Sequence, residues 1–201
     1  MLKKFLLASA ILAATSTAAF ADGPYVGASL GAEAGSFNLK DDSGSSVDFG
    51  GRGAVGSIFG GYGATVNQNI YLGGEVFANL TSTSADIKVD SDNVKDSIKN
   101  KYGYGISFIP GVMLSDHTMV YGRAGLVRSR FEVKESAPVS SSQSKTLTGG
   151  QLGIGIQTSL TQNVDLRGEY DYTSYRSANF SGNKLSPATD QFNLGLIYKF
   201  D

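Results

Sequence analysis

From Gly23 onward, hydrophobic and polar positions alternate with a period of two rather than 3.6. The last strand shows it most clearly: Phe192, Leu194, Leu196, Tyr198 and Phe200 alternate with Asn193, Gly195, Ile197 and Lys199. Leu152, Ile154 and Ile156 alternate in the same way with Gln151, Gly153, Gly155 and Gln157, and Val164, Leu166, Tyr170 and Tyr172 with Asp165, Arg167, Glu169 and Asp171. Tyr102, Tyr104, Ile106, Phe108, Val112 and Leu114 alternate with Gly103, Gly105, Ser107 and Gly111. None of these segments offers the i, i+3, i+4 apolar spacing of an amphipathic helix. The pattern predicts eight strands, at roughly 24–39, 51–66, 69–80, 101–114, 118–131, 148–160, 163–173 and 190–200.

The connections alternate in length. Short turns are expected at Val66–Asn69, Ser115–Thr118 and Thr161–Asn163, and long polar loops at 40–50, 81–100, 132–147 and 174–189. Tight turns at one end and long loops at the other describe an up-and-down antiparallel meander, and an even strand number lets its two edges meet. Nothing divides residues 22–201 into smaller domains. The first 21 residues differ: Lys3 and Lys4, an apolar run from Phe5 to Ala14, and Ala19-Phe20-Ala21. A basic start, a short apolar stretch and a small-x-small site make a secretory signal peptide, so the mature chain is expected to begin at Asp22.

Composition decides which way the apolar face points. Charged residues are only 17% of the 201 and Gly contributes 26, against about 25% charged and 7% Gly in ordinary soluble domains. The polar face carries Gly27, Gly31, Gly61, Gly73, Gly103, Gly105, Gly153, Gly155 and Gly195, interspersed with Glu75, Arg123, Arg167, Glu169 and Lys199. Small residues with scattered opposite charges make a poor solvent face but suit the narrow interior of an eight-stranded barrel. The apolar face would then meet lipid. Phe192 to Phe200 covers about 26 Å of strand at ~3.3 Å per residue. Tilt reduces this to a height near ~20 Å, against an apolar band of about 25 Å. Tyr102, Tyr104, Tyr170 and Tyr172 at the loop end, and Tyr62, Tyr198 and Phe200 at the turn end, read as two interfacial aromatic girdles. A soluble ligand-binding barrel, apolar inside, is the competing arrangement.

Several chemistries drop out. The chain has no Cys and a single His, which removes disulfides, thiolate metal sites and multi-His centres. A formal net charge of −1 gives no reason to expect nucleic acid as a partner. No cofactor motif is present: Gly60-Gly61-Tyr62-Gly63 is followed by neither Lys-Ser/Thr nor a helix pattern. Asp41-Asp42 and Asp90/Asp92 lack the spacing of a calcium loop and read as solvated loop residues.

Gly56-Ser57-Ile58-Phe59-Gly60-Gly61-Tyr62, followed by Tyr71-Leu72-Gly73-Gly74-Glu75-Val76-Phe77, resembles the second and third strands of OmpA-type barrels. Tyr25–Gly31, Val120–Gly125, Leu166–Tyr172 and Leu194–Phe200 resemble other strands of the same family. The nearer match is to its small opacity-type, surface-antigen members, which are barrel only; no peptidoglycan-binding domain follows, so wall anchoring is not carried over. The resemblance implies an eight-stranded barrel in the outer membrane of a Gram-negative bacterium. It also implies that Phe192, Leu194, Leu196, Tyr198 and Phe200 form the closing signal read by the barrel assembly machinery, after delivery by periplasmic chaperones. Asp201 departs from the pattern, since the family usually ends on the aromatic.

The resemblance places Glu75 and Arg167 where OmpA-type barrels hold an interior ion pair. Gln157 stands where the family has another acid, and Ile109 where it has a Lys. With Arg123, Asp165, Glu169 and Lys199, these residues read either as a plug that fills the lumen or as the gate of a narrow, porin-like ion pathway. A third possibility is a lipid A-modifying barrel enzyme of the serine-hydrolase type. It requires a Ser and His within ~3 Å near the outer rim, whereas His117 falls in a turn at the opposite end. The expectation is therefore a non-enzymatic envelope barrel whose outer loops contact a host or neighbouring surface as an adhesin or antigen. In 81–100, Ile87, Val89, Val94 and Ile98 are spaced for a short ribbon or helix above the membrane.

Overall fold

The computed structural model describes residues 23–40, 46–67, 69–82, 84–88, 95–135, 141–176, 178–180 and 183–200. The segment read as a signal peptide, residues 1–21, lies outside them, as do Asp41, Asp42, Asp90, Asp92 and Asp201.

Ten strands follow in chain order: β1 (Gly23–Lys40), β2 (Ser46–Val66), β3 (Ile70–Thr81), β4 (Ser84–Lys88), β5 (Lys95–Ser115), β6 (Thr118–Glu135), β7 (Ser141–Ser159), β8 (Val164–Tyr175), β9 (Ala178–Phe180) and β10 (Asn183–Lys199). Eight of them are the staves of a barrel; β4 and β9 are short ribbons that prolong the β3–β5 and β8–β10 hairpins. Every stave pairs antiparallel with its neighbours, and β1 pairs with both β2 and β10, which closes the sheet. Closure leaves no unpaired edge, the condition a sheet must meet to sit in hydrocarbon.

The three short connections fall where the pattern predicts them. Asp116 and His117 form the β5–β6 turn, and Asn67 takes a left-handed backbone with φ of 65° after β2, a conformation Asn tolerates better than most residues.

The four stretches expected as long loops are a correction. β2 starts at Ser46, β5 at Lys95 and β10 at Asn183, while β6 runs to Glu135 and β7 starts at Ser141. Polar sequence hid these extensions. Ladder hydrogen bonds use the backbone, so strands continue past the point where one face must be apolar, and the period-two signal fades there. The ribbon expected near Ile87 and Ile98 is formed by β4, paired with β5 from Ser84↔Lys99 to Lys88↔Lys95. Val89 and Val94 lie outside the described residues.

Sidedness follows the alternation. Phe192, Leu194, Leu196 and Tyr198 are about half exposed, whereas Gln191, Asn193, Ile197 and Lys199 are buried. Leu30 and Leu80 are more than 70% exposed, which in water would be costly and in hydrocarbon is not. Tyr62, Tyr102, Tyr104, Tyr170, Tyr172, Tyr198 and Phe200 all point outward, and the rings of Tyr198 and Phe200 meet edge to face at 5.2 Å.

The interior is filled by a pairing the sequence shows only once the register is known. Tyr25 lies opposite Gly61, Phe59 opposite Gly27, Phe77 opposite Gly105 and Tyr121 opposite Gly155. Each ring covers the glycine facing it; a Cβ on Gly155 would overlap the Tyr121 ring, and one on Gly27 the Phe59 ring. The glycines make room for large side chains inside a bore that is otherwise too narrow for them.

Candidate functional site

The expected lumen residues come together. Glu75 on β3 sits at the centre, 3% exposed. Its Oε1 lies 2.5 Å from Arg123 Nη2 on β6, and its Oε2 lies 2.6 Å from Arg167 Nη1 on β8. Tyr25 on β1 donates its hydroxyl to Glu75 Oε2 at 3.1 Å. One carboxylate thus ties together side chains from strands far apart around the barrel. Such charge-assisted contacts are the shorter and stronger kind of hydrogen bond.

Each arginine has further support. Arg123 Nε lies 3.0 Å from Glu169 Oε2 and 3.6 Å from Asp171 Oδ1, and Nη1 donates to Ser107 Oγ at 3.1 Å. Arg167 donates from Nε and Nη2 to Gln157 Oε1 at 3.2 and 3.0 Å. Its guanidinium also lies 4.8 Å from the Phe59 ring centre and 5.2 Å from that of Tyr121, where the negative ring face attracts the cation. Tyr121 in turn donates to Glu169 Oε2 at 2.5 Å. The inward aromatics therefore both fill space and share in the charge network.

A second cluster lies toward the turn end. Lys199 Nζ is 2.9 Å from Asp165 Oδ1, and Gln157 Nε2 donates to Asp165 Oδ2 at 2.6 Å. Gln157 thereby links the two clusters, accepting from Arg167 with its carbonyl and donating to Asp165 with its amide. Ile109 is fully buried in an apolar layer with Tyr71, Met119 and Tyr121. Toward the loop end, Gln191 donates to Glu33 at 2.5 Å and Ser129 bonds Tyr175 at 2.9 Å. The cavity among Glu75, Arg123, Glu169, Asp171, Gln191 and Asn193 measures about 20 Å³, room for about one water.

All seven polar residues expected in the lumen (Glu75, Arg123, Gln157, Asp165, Arg167, Glu169 and Lys199) are buried there. Sequence reasoning did not single out Asp171, Ser107 or the aromatics Tyr25, Phe59, Phe77 and Tyr121. Asp171 was readable by parity, since it lies between outward Tyr170 and Tyr172 and two residues beyond Glu169. The aromatics carried no such signal, because an inward ring and an outward ring look alike until the strand's phase is fixed.

His117 is exposed in the β5–β6 turn. Its contacts run through the backbone: its N–H donates to Ser115 Oγ at 3.4 Å and its carbonyl accepts from Ser159 N at 2.8 Å. Among the described residues no hydroxyl pairs with its imidazole. Among the described residues no group of three or more His, Cys, Asp or Glu is arranged to hold a metal.

The sequence matches the family model described as outer membrane protein beta-barrel domain over residues 5–200. It is 31% identical over 150 residues to a 22 kDa outer membrane protein of Rhizobium leguminosarum bv. viciae, covering 73% of this chain and 63% of that protein. The chain thus spans a little under two-thirds of that relative's length. It is 27% identical over 199 residues to a 31 kDa outer-membrane immunogenic protein of Brucella melitensis biotype 1, covering 89% of this chain and 83% of that one. Among solved structures, the outer membrane protein OprG from Pseudomonas aeruginosa superposes with a TM-score of 0.58 at 15% identity, covering 92% of this chain and 99% of that one. At that identity the likeness is one of fold. With a closed barrel, an apolar exterior and a charged interior already in hand, the chain belongs to the outer-membrane β-barrel family and resides in the outer membrane of a Gram-negative bacterium.

Proposed function

We propose that this protein is a non-enzymatic envelope barrel that is closed to ions and presents its outer hairpins as a surface-contact and antigenic platform. The observation that carries the closed state is the Glu75–Arg123–Arg167 cluster, which spans the bore and leaves a cavity of about 20 Å³. Below it the Tyr71–Ile109–Met119–Tyr121 cluster and the Gln157–Asp165–Lys199 chain fill the bore side by side. Supporting the surface role are the paired strands that continue past the apolar band and the designation of the Brucella relative as immunogenic. Host or cell-surface ligands would meet the protein there, since binding and variation concentrate on such exposed connections. The backbone-only contacts of His117 speak against a serine-hydrolase mechanism. On this reading the closing strand, with Phe192, Leu194, Leu196, Tyr198 and Phe200 outward, is the segment handled by chaperones and the assembly machinery during insertion.

One observation favours a second reading, a narrow gated channel. Arg123 faces Glu169 and Asp171 as well as Glu75, so it could exchange carboxylates and loosen the cluster. Planar-bilayer recording separates the two. For a plug, the native barrel shows no steady conductance and Arg167→Ala stays at baseline, because the Glu75–Arg123 pair, the Tyr71–Ile109–Met119–Tyr121 cluster and the Asp165–Lys199 pair still fill the bore. For a gate, Arg167→Ala raises single-channel conductance several-fold.

A further inference from the structure

The central ion cluster holds one carboxylate more than its arginines balance. Its contacts join Glu75, Glu169 and Asp171 to Arg123 and Arg167, three negative charges to two positive. Lys199 sits with Asp165 on the turn side. Arg123 places Nη2 on Glu75, Nη1 on Ser107 and Nε nearest Glu169, so Asp171 Oδ1, at 3.6 Å from Nε, lies outside hydrogen-bond range. A buried carboxylate in excess of its cations is costly unless a further positive charge joins it.

Oxygens left without a donor gather at the same place. Asp171 Oδ1, Asn193 Oδ1 and Gln151 Oε1 accept no hydrogen bond among the described residues, and the three side chains belong to residues only 3%, 6% and 4% exposed. All three residues line the cavity of about 20 Å³ on the loop side of Glu75. Register explains the convergence: Asp171 on β8 faces Gly153 on β7 and Gln191 on β10. Gln151 and Asn193 each stand two residues from those partners, one diagonal step from Asp171 and within reach of a long side chain. Asn193 turns its Nδ2 to Asp171 Oδ2 at 3.5 Å, so its free atom is the carbonyl oxygen. Gly153 and Gly31 leave the space these oxygens occupy; a Cβ on them would overlap Asp171 Oδ1 and Asn193 Oδ1 respectively.

We infer that this cavity binds one alkali-metal cation, sodium or potassium, drawn from the external medium. Its free donors are carboxylate and amide carbonyl oxygens, the groups that replace the hydration shell of such an ion. The charge left over is one, which a monovalent ion neutralises. Calcium takes about six to eight oxygens, whereas this space admits a single water-sized guest. A water fits the volume but brings no charge, and its two hydrogens cannot serve three oxygens. Glu33, which accepts from Gln191 at 2.5 Å, puts a further carboxylate on the loop-side approach. The Glu75–Arg123–Arg167 cluster closes the turn side, so the ion enters and leaves from outside without crossing the barrel.

The test follows urea unfolding of the full-length barrel in detergent micelles, by the heat-dependent gel shift, in sodium, potassium and choline chloride at equal ionic strength. The folded-to-unfolded ratio should rise about tenfold when the preferred cation reaches ten times its dissociation constant, and choline should give no rise. Comparison of the sodium and potassium arms identifies the ion. Asp171→Asn, which removes the surplus charge, should unfold at the same urea concentration in all three salts. Gln151→Leu, which keeps every ion pair, should lose most of the response and decides alone if Asp171→Asn does not fold. Asp190→Asn, an acid on the outer face bonded to Tyr170, should keep the response. The assignment is overturned if the native barrel behaves alike in choline and both alkali salts, the result for a cavity holding a proton or a water. It is likewise overturned if Gln151→Leu or a folded Asp171→Asn responds as fully as the native protein.

Discussion

Replacing Glu75 with alanine is expected to cost about 3–5 kcal/mol of folding stability, the penalty for breaking a buried ion pair and stranding its partner. The loss falls unevenly on the two arginines. Arg123 keeps Glu169 and Asp171 within 3.6 Å, so its charge stays compensated. Arg167 keeps only the Gln157 carbonyl and the faces of Phe59, Tyr121 and Tyr25. Among the described residues, a guanidinium so enclosed then has no carboxylate in contact. The chain contains no Trp, so urea unfolding is followed by the gel shift of the folded barrel or by circular dichroism. Adding Arg167→Met to Glu75→Ala should recover a substantial part of the loss, because the stranded charge is then gone. Failure of the double variant to recover would mean that Glu75 acts through packing rather than through the ion pair.

The second large effect is on the outer face. Leu196 lies midway along the apolar run of β10, opposite Ala28 on one side and Leu166 on the other, and is about half exposed. An arginine there would sit near the bilayer midplane, so Leu196→Arg should destabilise the barrel by about 2–4 kcal/mol. The same change at Ala34, exposed near the outer end of β1, should cost about 0–1 kcal/mol. The contrast between the two positions carries the information. A water-facing surface would tolerate arginine equally at both, and folding measured in lipid vesicles gives the comparison directly.

Much of this was legible in the sequence because a barrel wall in lipid obeys a strict rule. Each residue faces either hydrocarbon or bore, so Leu194 and Leu196 must be apolar and Asn193 and Lys199 fall inside. That rule delivered the staves, the turns and the seven polar lumen residues. It failed where its physical cause stops. Beyond the apolar band no face is committed, and the strand at Ser46–Gly50 and the start of β10 at Asn183 left no alternation to read. It also failed inside the bore, where Tyr25, Phe59, Phe77 and Tyr121 are large and aromatic instead of small or charged. Their presence depends on glycines directly across the ladder, a relation between strands that only the register reveals. Asp171 is a different case: its parity was plain, but its role with Arg123 depends on how β6 and β8 face each other across the bore.

The most direct measurement of the central claim, a lipid-facing apolar wall around a sealed ionic bore, uses the absence of native Cys. Single cysteines at Leu194, Leu196, Ser29 and Asn193 carry a nitroxide in the folded barrel in lipid. Collisional relaxation is then compared for oxygen, which partitions into hydrocarbon, and for a water-soluble nickel chelate. Labels at 194 and 196 should be relaxed strongly by oxygen and hardly by nickel, and labels at 29 and 193 weakly by both. Strong nickel relaxation at 29 and 193 would mean an open aqueous bore, and strong nickel relaxation at 194 and 196 would mean a wall that faces water.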